Sequence, residues 1–258
     1  MRKLSGSVPT SVSDNEAYPQ LCLQASRDDR VFADFRRNPI YNEILEHVTE
    51  EQGRQYLDLI ARDPDLLGAM DEFRCNDLYG NPGTHTYPSV GAVSPSTLRY
   101  IKVLADLKEH FRTLDDLDIC EIGVGYGGQC RIIHAYFKPA SYTLLDIGPA
   151  LALARRFLEH YAEPRQLFFH TMGEMESRAY DLVVSNYAFT ELPRSIQESY
   201  LQRVILRSSR GYITYNEITP PRFRSYKAEE LLALIPRATR VKEEPLTHPK
   251  NCIIVWGR

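Results

Sequence analysis

The sequence contains no stretch of about 20 consecutive apolar residues, the length that a membrane-spanning helix requires. Its N-terminal residues also lack the apolar middle of a secretion signal. Basic residues are not in excess, with 31 Lys and Arg against 34 Asp and Glu, and no basic run is long enough to follow a phosphate backbone. These absences predict a cytoplasmic protein without a membrane or nucleic-acid partner.

Cysteines are few and irregularly placed. Their number, five, is odd, and no two of them form a Cys-x-x-Cys pair. This pattern is typical of reduced thiols in apolar surroundings and not of a disulfide framework or a zinc site. We therefore expect no structural metal.

Apart from these absences, the composition is that of an ordinary globular protein. Hydrophobic residues make up 43% and charged residues 25% of the 258 residues, which excludes the disordered and collagen-like classes. A chain of this length buries enough surface to fold without disulfides. It shows no repeat at a fixed period, which excludes solenoids and propellers.

The pattern along the chain predicts three regions. Residues 1–20 are rich in Ser, Pro, Asn and charge without an apolar period, and they are predicted to form a flexible N-terminal arm. Residues 21–110 are predicted to form a helical region with a loop that covers the substrate as a lid. Residues 111–258 are predicted to form the core that binds the cofactor.

Two signals set helix boundaries in the N-terminal part. Asp63-Pro64 interrupts a run of apolar residues at helical spacing, as the end of a helix does. Ser94 is suited to cap a helix, and Pro95 suits the first helical position. We therefore predict a helix over roughly residues 95–110.

After residue 110 the pattern changes to short apolar runs separated by helical stretches. The runs are DICEIG (118–123), YTLLDI (142–147), QLFFH (166–170), YDLVVSN (180–186), GYITYNE (211–217), ATRVKEE (238–244) and CIIVWG (252–257). Strands that alternate with helices predict an α/β fold with a parallel sheet covered on both faces. The last two runs are joined by a connection too short for a helical crossover, so they are predicted to pair antiparallel.

A glycine-rich segment, Glu121-Ile-Gly123-Val-Gly125-Tyr-Gly127-Gly128, follows the first predicted core strand and opens a helix. Glycines allow a sharp turn and close approach of a ligand, and the helix N-terminus offers unpaired N–H groups. The segment fits both the Gly-x-Gly-x-x-Gly of dinucleotide enzymes and the acid-x-Gly-x-Gly-x-Gly of S-adenosylmethionine enzymes. Glu121 suits a cationic amino-acid end, and together with the helical N-terminal region and the antiparallel last strand it favours S-adenosylmethionine as the cofactor.

Further cofactor residues are expected beyond the carboxyl ends of the strands, where ligands bind in such sheets. The carboxylate of Asp146 is suited to accept both hydrogens of a ribose diol; its alternative role is to cap a helix before Pro149. Met172 is suited to pack on an adenine ring, or else to fill the core. The predicted cofactor-binding residues are Glu121, Gly123, Gly125, Gly127, Asp146, Ile147, Thr171, Met172 and Asn186.

Residues 118–258 resemble the class I S-adenosylmethionine-dependent methyltransferases, which have a Rossmann-like fold. More narrowly, five segments resemble the sugar O-methyltransferases: NDLYGNP (76–82), SPSTLRYIKVLADL (94–107), EIGVGYGGQ (121–129), SNYAFTEL (185–192) and the terminal IIVWG. This second resemblance covers roughly residues 75–257. It implies a seven-stranded sheet with a reversed last strand, and methyl transfer to a hydroxyl of a sugar or a sugar-containing metabolite.

A sugar hydroxyl is a weak acid, so methyl transfer to it calls for a general base. Glu191, just beyond the fourth core strand, is the first candidate, followed by His170 and His248. Glu191 alternatively serves as an acid in the first turn of the helix after Pro193, and His248 as an exposed turn residue. The residues predicted to position the acceptor are Tyr87, Tyr187, Asn216 and Glu217.

Other functions remain open at this point. The acceptor is alternatively a small molecule other than a sugar. The overlapping glycine pattern also fits a nucleotide-dependent oxidoreductase, and the fold also serves non-catalytic binding subunits. The partner in every enzymatic case is a small-molecule substrate, and a homodimer through the N-terminal helices is a further expectation.

Overall fold

The computed structural model describes residues 16–161 and 166–258. Its helices are α1 Ala17–Ala25, α2 Asp29–Asp34, α3 Pro39–Tyr41, α4 Glu50–Ile60, α5 Pro64–Gly68, α6 Met70–Arg74, α7 Pro95–Phe111, α8 Gly128–Tyr136, α9 Gly148–Leu158, α10 Arg194–Arg203 and α11 Ala228–Leu234. Its strands are β1 His85–Tyr87, β2 Gly91–Val93, β3 Asp118–Ile122, β4 Ser141–Leu145, β5 Leu167–His170, β6 Leu182–Asn186, β7 Arg210–Tyr215, β8 Thr239–Val241 and β9 Cys252–Trp256.

Strands β3–β9 form one seven-stranded sheet in the order β5-β4-β3-β6-β7-β9-β8. Strand β3 lies at the point where the order reverses, and it pairs parallel with β4 on one side and β6 on the other. Strand β9 runs antiparallel to both of its neighbours, β7 and β8. The predicted Rossmann-like α/β fold with a reversed last strand is therefore confirmed.

The sequence accounts for these elements locally. Strand β4 is buried at every position and β3 at all but its first, as expected for parallel strands covered on both faces. The side chain of Ser94 accepts a hydrogen bond from Thr97 N, so it caps α7 as predicted. Asp63 caps α5 after α4 has ended at Ile60, which confirms the helix boundary at this point.

The N-terminal helices pack against the sheet layer. One hydrophobic cluster joins Tyr18 and Phe73 of this region to Ile119 and Leu144 of the sheet. Residues 1–15 of the predicted arm lie outside the described residues, but α1 begins at Ala17 and Tyr18 is buried. The last four positions of the arm were therefore predicted wrongly, because α1 buries an apolar face that the short sequence window does not reveal.

The predicted lid loop contains a hairpin that the sequence reading missed, since strands β1 and β2 pair antiparallel. Tyr87, at the end of β1, is 1% exposed, and its hydroxyl donates to Glu50 O of α4. This loop is therefore tied down on the helical region. Among the described residues, no helix is both long and apolar enough to cross a bilayer.

Candidate functional site

A cavity of about 970 Å³, called the cleft below, opens at the carboxyl ends of the parallel strands. Its lining includes the turn after β3 and residues that follow β4, β5, β6 and β7. The helical region contributes the opposite wall through α4, α7 and the segment around Leu45. Small-molecule sites span roughly 300–1,000 Å³, so the volume is at the upper end and accommodates a cofactor together with an acceptor.

The glycine turn after β3 brings the backbone close to the wall of the cleft. Gly123 and Gly125 adopt left-handed φ values of 80° and 55°. A Cβ on Gly123 would overlap the Cβ of Ala188, and one on Gly125 would lie 2.8 Å from Leu45 Cδ1. The turn therefore has both a conformational and a steric need for glycine.

We expect Gly123→Ala to lower the free energy of unfolding by about 1–3 kcal/mol, because the new methyl group is both strained and overpacked. Denaturant titration of the purified variant measures this change. Gly68→Ala is the matched control, since no atom lies within 4 Å of the Cβ position there. Equal stability of the two variants would contradict the packing described for the turn.

Asp146 follows β4 and holds the glycine turn in place. Its Oδ2 accepts hydrogen bonds from Val124 N at 2.8 Å and Gly125 N at 3.1 Å, and its Oδ1 accepts one from Ile147 N. Helix α9 begins at Gly148 without a side-chain cap, so the alternative role of Asp146 as a helix cap is wrong. Burial raises the pKa of Asp146, and the three backbone N–H groups oppose that rise.

Glu121, on β3, lines the same cleft as Asp146. Its side chain is 2% exposed, and Oε2 accepts a hydrogen bond of 2.7 Å from the hydroxyl of Tyr142. Within the described ranges no Lys, Arg or His lies within 4.0 Å of its carboxylate. Burial raises the pKa of Glu121 to about 8, so the site lacks a cation that would stabilise the ionised form.

Glu191 lies in a short 3₁₀ turn, Ala188–Glu191, directly after β6. Its Oε1 accepts a hydrogen bond of 2.7 Å from Asn216 Nδ2, at the end of β7. Helix α10 begins only at Arg194, after Pro193, so the carboxylate is directed across the sheet and not toward that helix. Burial raises the pKa of Glu191, against the opposing effect of the Asn216 hydrogen bond.

Tyr187 introduces the 3₁₀ turn with a left-handed φ of 67°, which is rare for a residue with a large side chain. Its hydroxyl donates to Glu243 Oε1 at 2.5 Å. Glu243 also accepts hydrogen bonds from the backbone N–H and hydroxyl of Thr247, in the connection between β8 and β9. This network fixes the phenol ring at the edge of the cleft.

Most of the residues predicted for the site line the cleft together. They are Glu121, Gly123, Gly125, Asp146, Ile147, Thr171, Met172, Asn186, Tyr187, Glu191, Asn216 and His248. Asn186 and Asn216 come from the ends of adjacent parallel strands, which explains why the strand-end rule found both. Their roles remain predictions.

Four predicted residues do not line the cleft. Tyr87, predicted to bind the substrate, packs on α4. Glu217 forms ion pairs with Lys227 and Lys250 on a separate surface depression. Gly127 is the N-cap of α8 and packs against Leu158, and His170 is the last residue of β5, one position short of the lining residue Thr171.

The structure also places in the cleft residues that the sequence reading missed, chiefly His47, Arg99, Tyr100 and Glu243. Arg99 and Tyr100 lie within a segment that the resemblance had already singled out, and this was an available signal. His47 and Glu243 carry no such signal. They reach the cleft only because distant parts of the chain fold over the carboxyl end of the sheet.

No family model matches the sequence, and no curated protein matches it. Among solved structures, magnesium protoporphyrin IX methyltransferase (ChlM) from Synechocystis PCC 6803 with bound SAM is similar at 15% identity and a TM-score of 0.45, covering 72% of this chain and 88% of that one. The PH0226 protein from Pyrococcus horikoshii OT3 is similar at 10% identity and a TM-score of 0.47, covering 61% of this chain and 88% of that one.

The CurJ carbon methyltransferase is similar at 16% identity and a TM-score of 0.41; the match covers 60% of this chain and about half, 51%, of CurJ. Identities this low do not extend the activity of any of these proteins to this chain. The strand order and the reversed β9 give the chain the Rossmann-like fold of class I methyltransferases.

Proposed function

We propose that the protein is an S-adenosylmethionine-dependent O-methyltransferase whose acceptor is a hydroxyl of a sugar or of a sugar-containing metabolite. The observation that carries the proposal is a pair of acids, the buried Glu121 and the partly buried Asp146. Glu121 lies on β3 and Asp146 directly follows β4, the parallel neighbour of β3, and both residues line one cleft.

The residues of the cleft fit the cofactor in charge and in shape. The carboxylate of Glu121, buried without a cation within 4.0 Å among the described residues, suits the ammonium of the methionine end. Both lone pairs of Asp146 Oδ2 accept hydrogen bonds from the glycine turn, whereas Oδ1 accepts one only from Ile147 N and retains a lone pair for a ribose hydroxyl. Gly123 and Gly125 line the cleft, so the backbone of the turn lies at the wall against which the ligand would bind.

When bound, S-adenosylmethionine supplies an activated methyl group. The chain then has to align the oxygen of the acceptor hydroxyl with that methyl group and to accept the proton that the hydroxyl loses. Glu191 is the proposed base, held by Asn216, while Tyr187 and Asn216 position the acceptor. His248 also lines the cleft and is the second candidate for the base.

A polyhydroxy acceptor is supported by the polar lining near Glu191. The hydrogen-bonded pairs Glu191–Asn216 and Tyr187–Glu243 line the same cleft, and aromatic rings such as that of Tyr56 offer faces for a sugar ring. The resemblance of SNYAFTEL to sugar O-methyltransferases points to the same class of acceptor.

Calorimetry with S-adenosylhomocysteine tests the cofactor, and transfer of a labelled methyl group to a panel of free and nucleotide-linked sugars tests the acceptor. We expect binding of the cofactor product and labelling of a sugar hydroxyl. Binding of NADH without binding of S-adenosylhomocysteine would instead favour an oxidoreductase. Labelling of only non-sugar acceptors would retain the methyltransferase and reject the sugar.

Cofactor binding is expected to release up to about one proton at pH 7. The pKa of Glu121 is raised to about 8 in the free protein, so the group is mostly protonated at pH 7 and must ionise to pair with an ammonium. The affinity should therefore rise as the pH increases from 6 toward 8. Calorimetry in buffers of different ionisation enthalpy measures the released proton.

Glu121→Gln is the control for this prediction, since it retains the hydrogen bond from Tyr142 but has no proton to release. Its binding heat should not depend on the buffer. If the wild-type heat is equally independent of the buffer, Glu121 is not the partner of the ammonium.

A further inference from the structure

Arg99 is a cation of the cleft for which the proposed reaction has no use. Of the cleft-lining residues the structure describes, the lysine and arginine side chains are Lys102 and Arg99. Lys102 is already paired, because its Nζ lies 2.6 Å from Asp106 Oδ2. Across residues 16–161 and 166–258, no carboxylate lies within 4.0 Å of the Arg99 guanidinium.

The guanidinium of Arg99 is nevertheless held in place. Its Nη2 donates a hydrogen bond of 3.0 Å to Leu45 O, and the group lies 5.7 Å from the centre of the Tyr100 ring. A guanidinium has five N–H donors in a planar fork, and a single backbone carbonyl satisfies only one of them. The geometry therefore presents a fixed, incompletely satisfied cation to the cavity.

Arg99 lies at the acceptor end of the cleft. Burial raises the pKa of Glu191, and the charge of Arg99 acts against this rise. Arg99 lies one turn before Lys102 on α7, and Asp106, the ion-pair partner of Lys102, accepts a hydrogen bond from Tyr212 of β7. This face of α7 therefore lies over β7, the strand that precedes Asn216.

We propose that Arg99 binds an oxyanion of the acceptor, so that the substrate is an acidic saccharide that carries a carboxylate or a phosphate. A planar guanidinium matches both groups with two parallel hydrogen bonds. The inference rests on the proposed methyl transfer and makes its acceptor more specific.

The test follows the side-chain Nε–Hε resonances of arginine by NMR in the full-length protein saturated with S-adenosylhomocysteine. The Arg99 resonance is the one that disappears in Arg99→Gln. Inorganic phosphate, glucuronate, glucose 6-phosphate and glucose are added in turn at constant ionic strength. The two sugar acids separate a carboxylate from a phosphate, and glucose is their neutral counterpart.

We expect phosphate and at least one sugar acid to shift the Arg99 resonance saturably, with no shift by glucose. Arg99→Lys should weaken that binding about 10-fold or more, because the ammonium retains the charge and loses the fork. The inference is overturned if no oxyanion shifts the resonance, if glucose shifts it equally, or if the exposed Arg62 responds in the same way.

Calorimetry of Arg99→Gln with S-adenosylhomocysteine separates the acceptor from the cofactor. An unchanged affinity supports a site for the acceptor. A loss of 10-fold or more means that Arg99 holds the carboxylate of the cofactor, which overturns the inference. If the wild type itself fails to bind S-adenosylhomocysteine, the proposed function fails, whereas an oxyanion shift at Arg99 in the free protein would still report on the cation site.

Discussion

Asp146→Ala is expected to weaken the binding of S-adenosylhomocysteine by about 10²-fold or more. The substitution removes Oδ1, the acceptor of a ribose hydroxyl, and a hydrogen bond to a charged group contributes about 1.5–3 kcal/mol. It also leaves Val124 N and Gly125 N without their partner, so that the glycine turn loses its present shape. Calorimetry below the melting temperature of the variant measures the loss.

Asp146→Asn separates these two contributions, because its amide oxygen still accepts from the turn while the charge is lost. We expect its affinity to fall between those of the wild type and the alanine variant. Glu229→Gln is the matched control, since Glu229 forms an exposed ion pair with Arg240 away from the cleft. Undiminished binding by Asp146→Ala would mean that the cofactor does not lie across this strand end.

Glu191→Gln is expected to lower the rate of methyl transfer by about 10²-fold or more, which is the usual contribution of a general base. The affinity for S-adenosylhomocysteine should remain within about twofold, because the amide oxygen of glutamine can still accept the hydrogen bond from Asn216 Nδ2. Single-turnover kinetics with labelled cofactor measures the rate, and calorimetry measures the affinity.

The pH dependence of the rate of methyl transfer is a second test of Glu191 as the base. Only the ionised carboxylate accepts a proton, so the wild-type rate should rise with pH and reach a plateau above the pKa of Glu191. Since burial raises that pKa, the plateau should begin at a higher pH than the value of about 4.3 for an ordinary glutamate suggests. In Glu191→Gln this rise should disappear.

Glu217→Gln is the control for Glu191→Gln, because Glu217 pairs with Lys227 and Lys250 outside the cleft. It should retain the wild-type rate. An unchanged rate in Glu191→Gln would transfer the role of the base to His248. His170 is a weaker replacement, since it does not line the cleft.

The strands, the reversed last strand and the glycine turn could be predicted because their signals are local. Each core strand is a short apolar run, and the spacing of the glycines within Glu121–Gly128 predicts the turn. The rule that ligands bind beyond the carboxyl ends of parallel strands then gathered Asp146, Asn186, Glu191 and Asn216 at one edge. Side-chain direction at that edge was not predictable, which is why Glu217, predicted to position the acceptor, does not line the cleft.

The N-terminal wall of the cleft could not be predicted in the same way. Leu45 and Arg99 meet there although 54 residues separate them along the chain, and Gly125 packs against Leu45 from a third segment. Helical spacing indicates that these helices have an apolar face, but it does not say against which part of the sheet that face packs. Arg99 was therefore not among the predicted site residues.

The sequence by itself determined the class of fold and the acidic, glycine-rich turn, because both follow from the spacing of residues that are close together in the chain. The tertiary structure alone decided which groups share the cleft. It brought Arg99, His47 and Glu243 to the cleft and left Tyr87 outside it, because those positions depend on the packing of segments far apart in sequence.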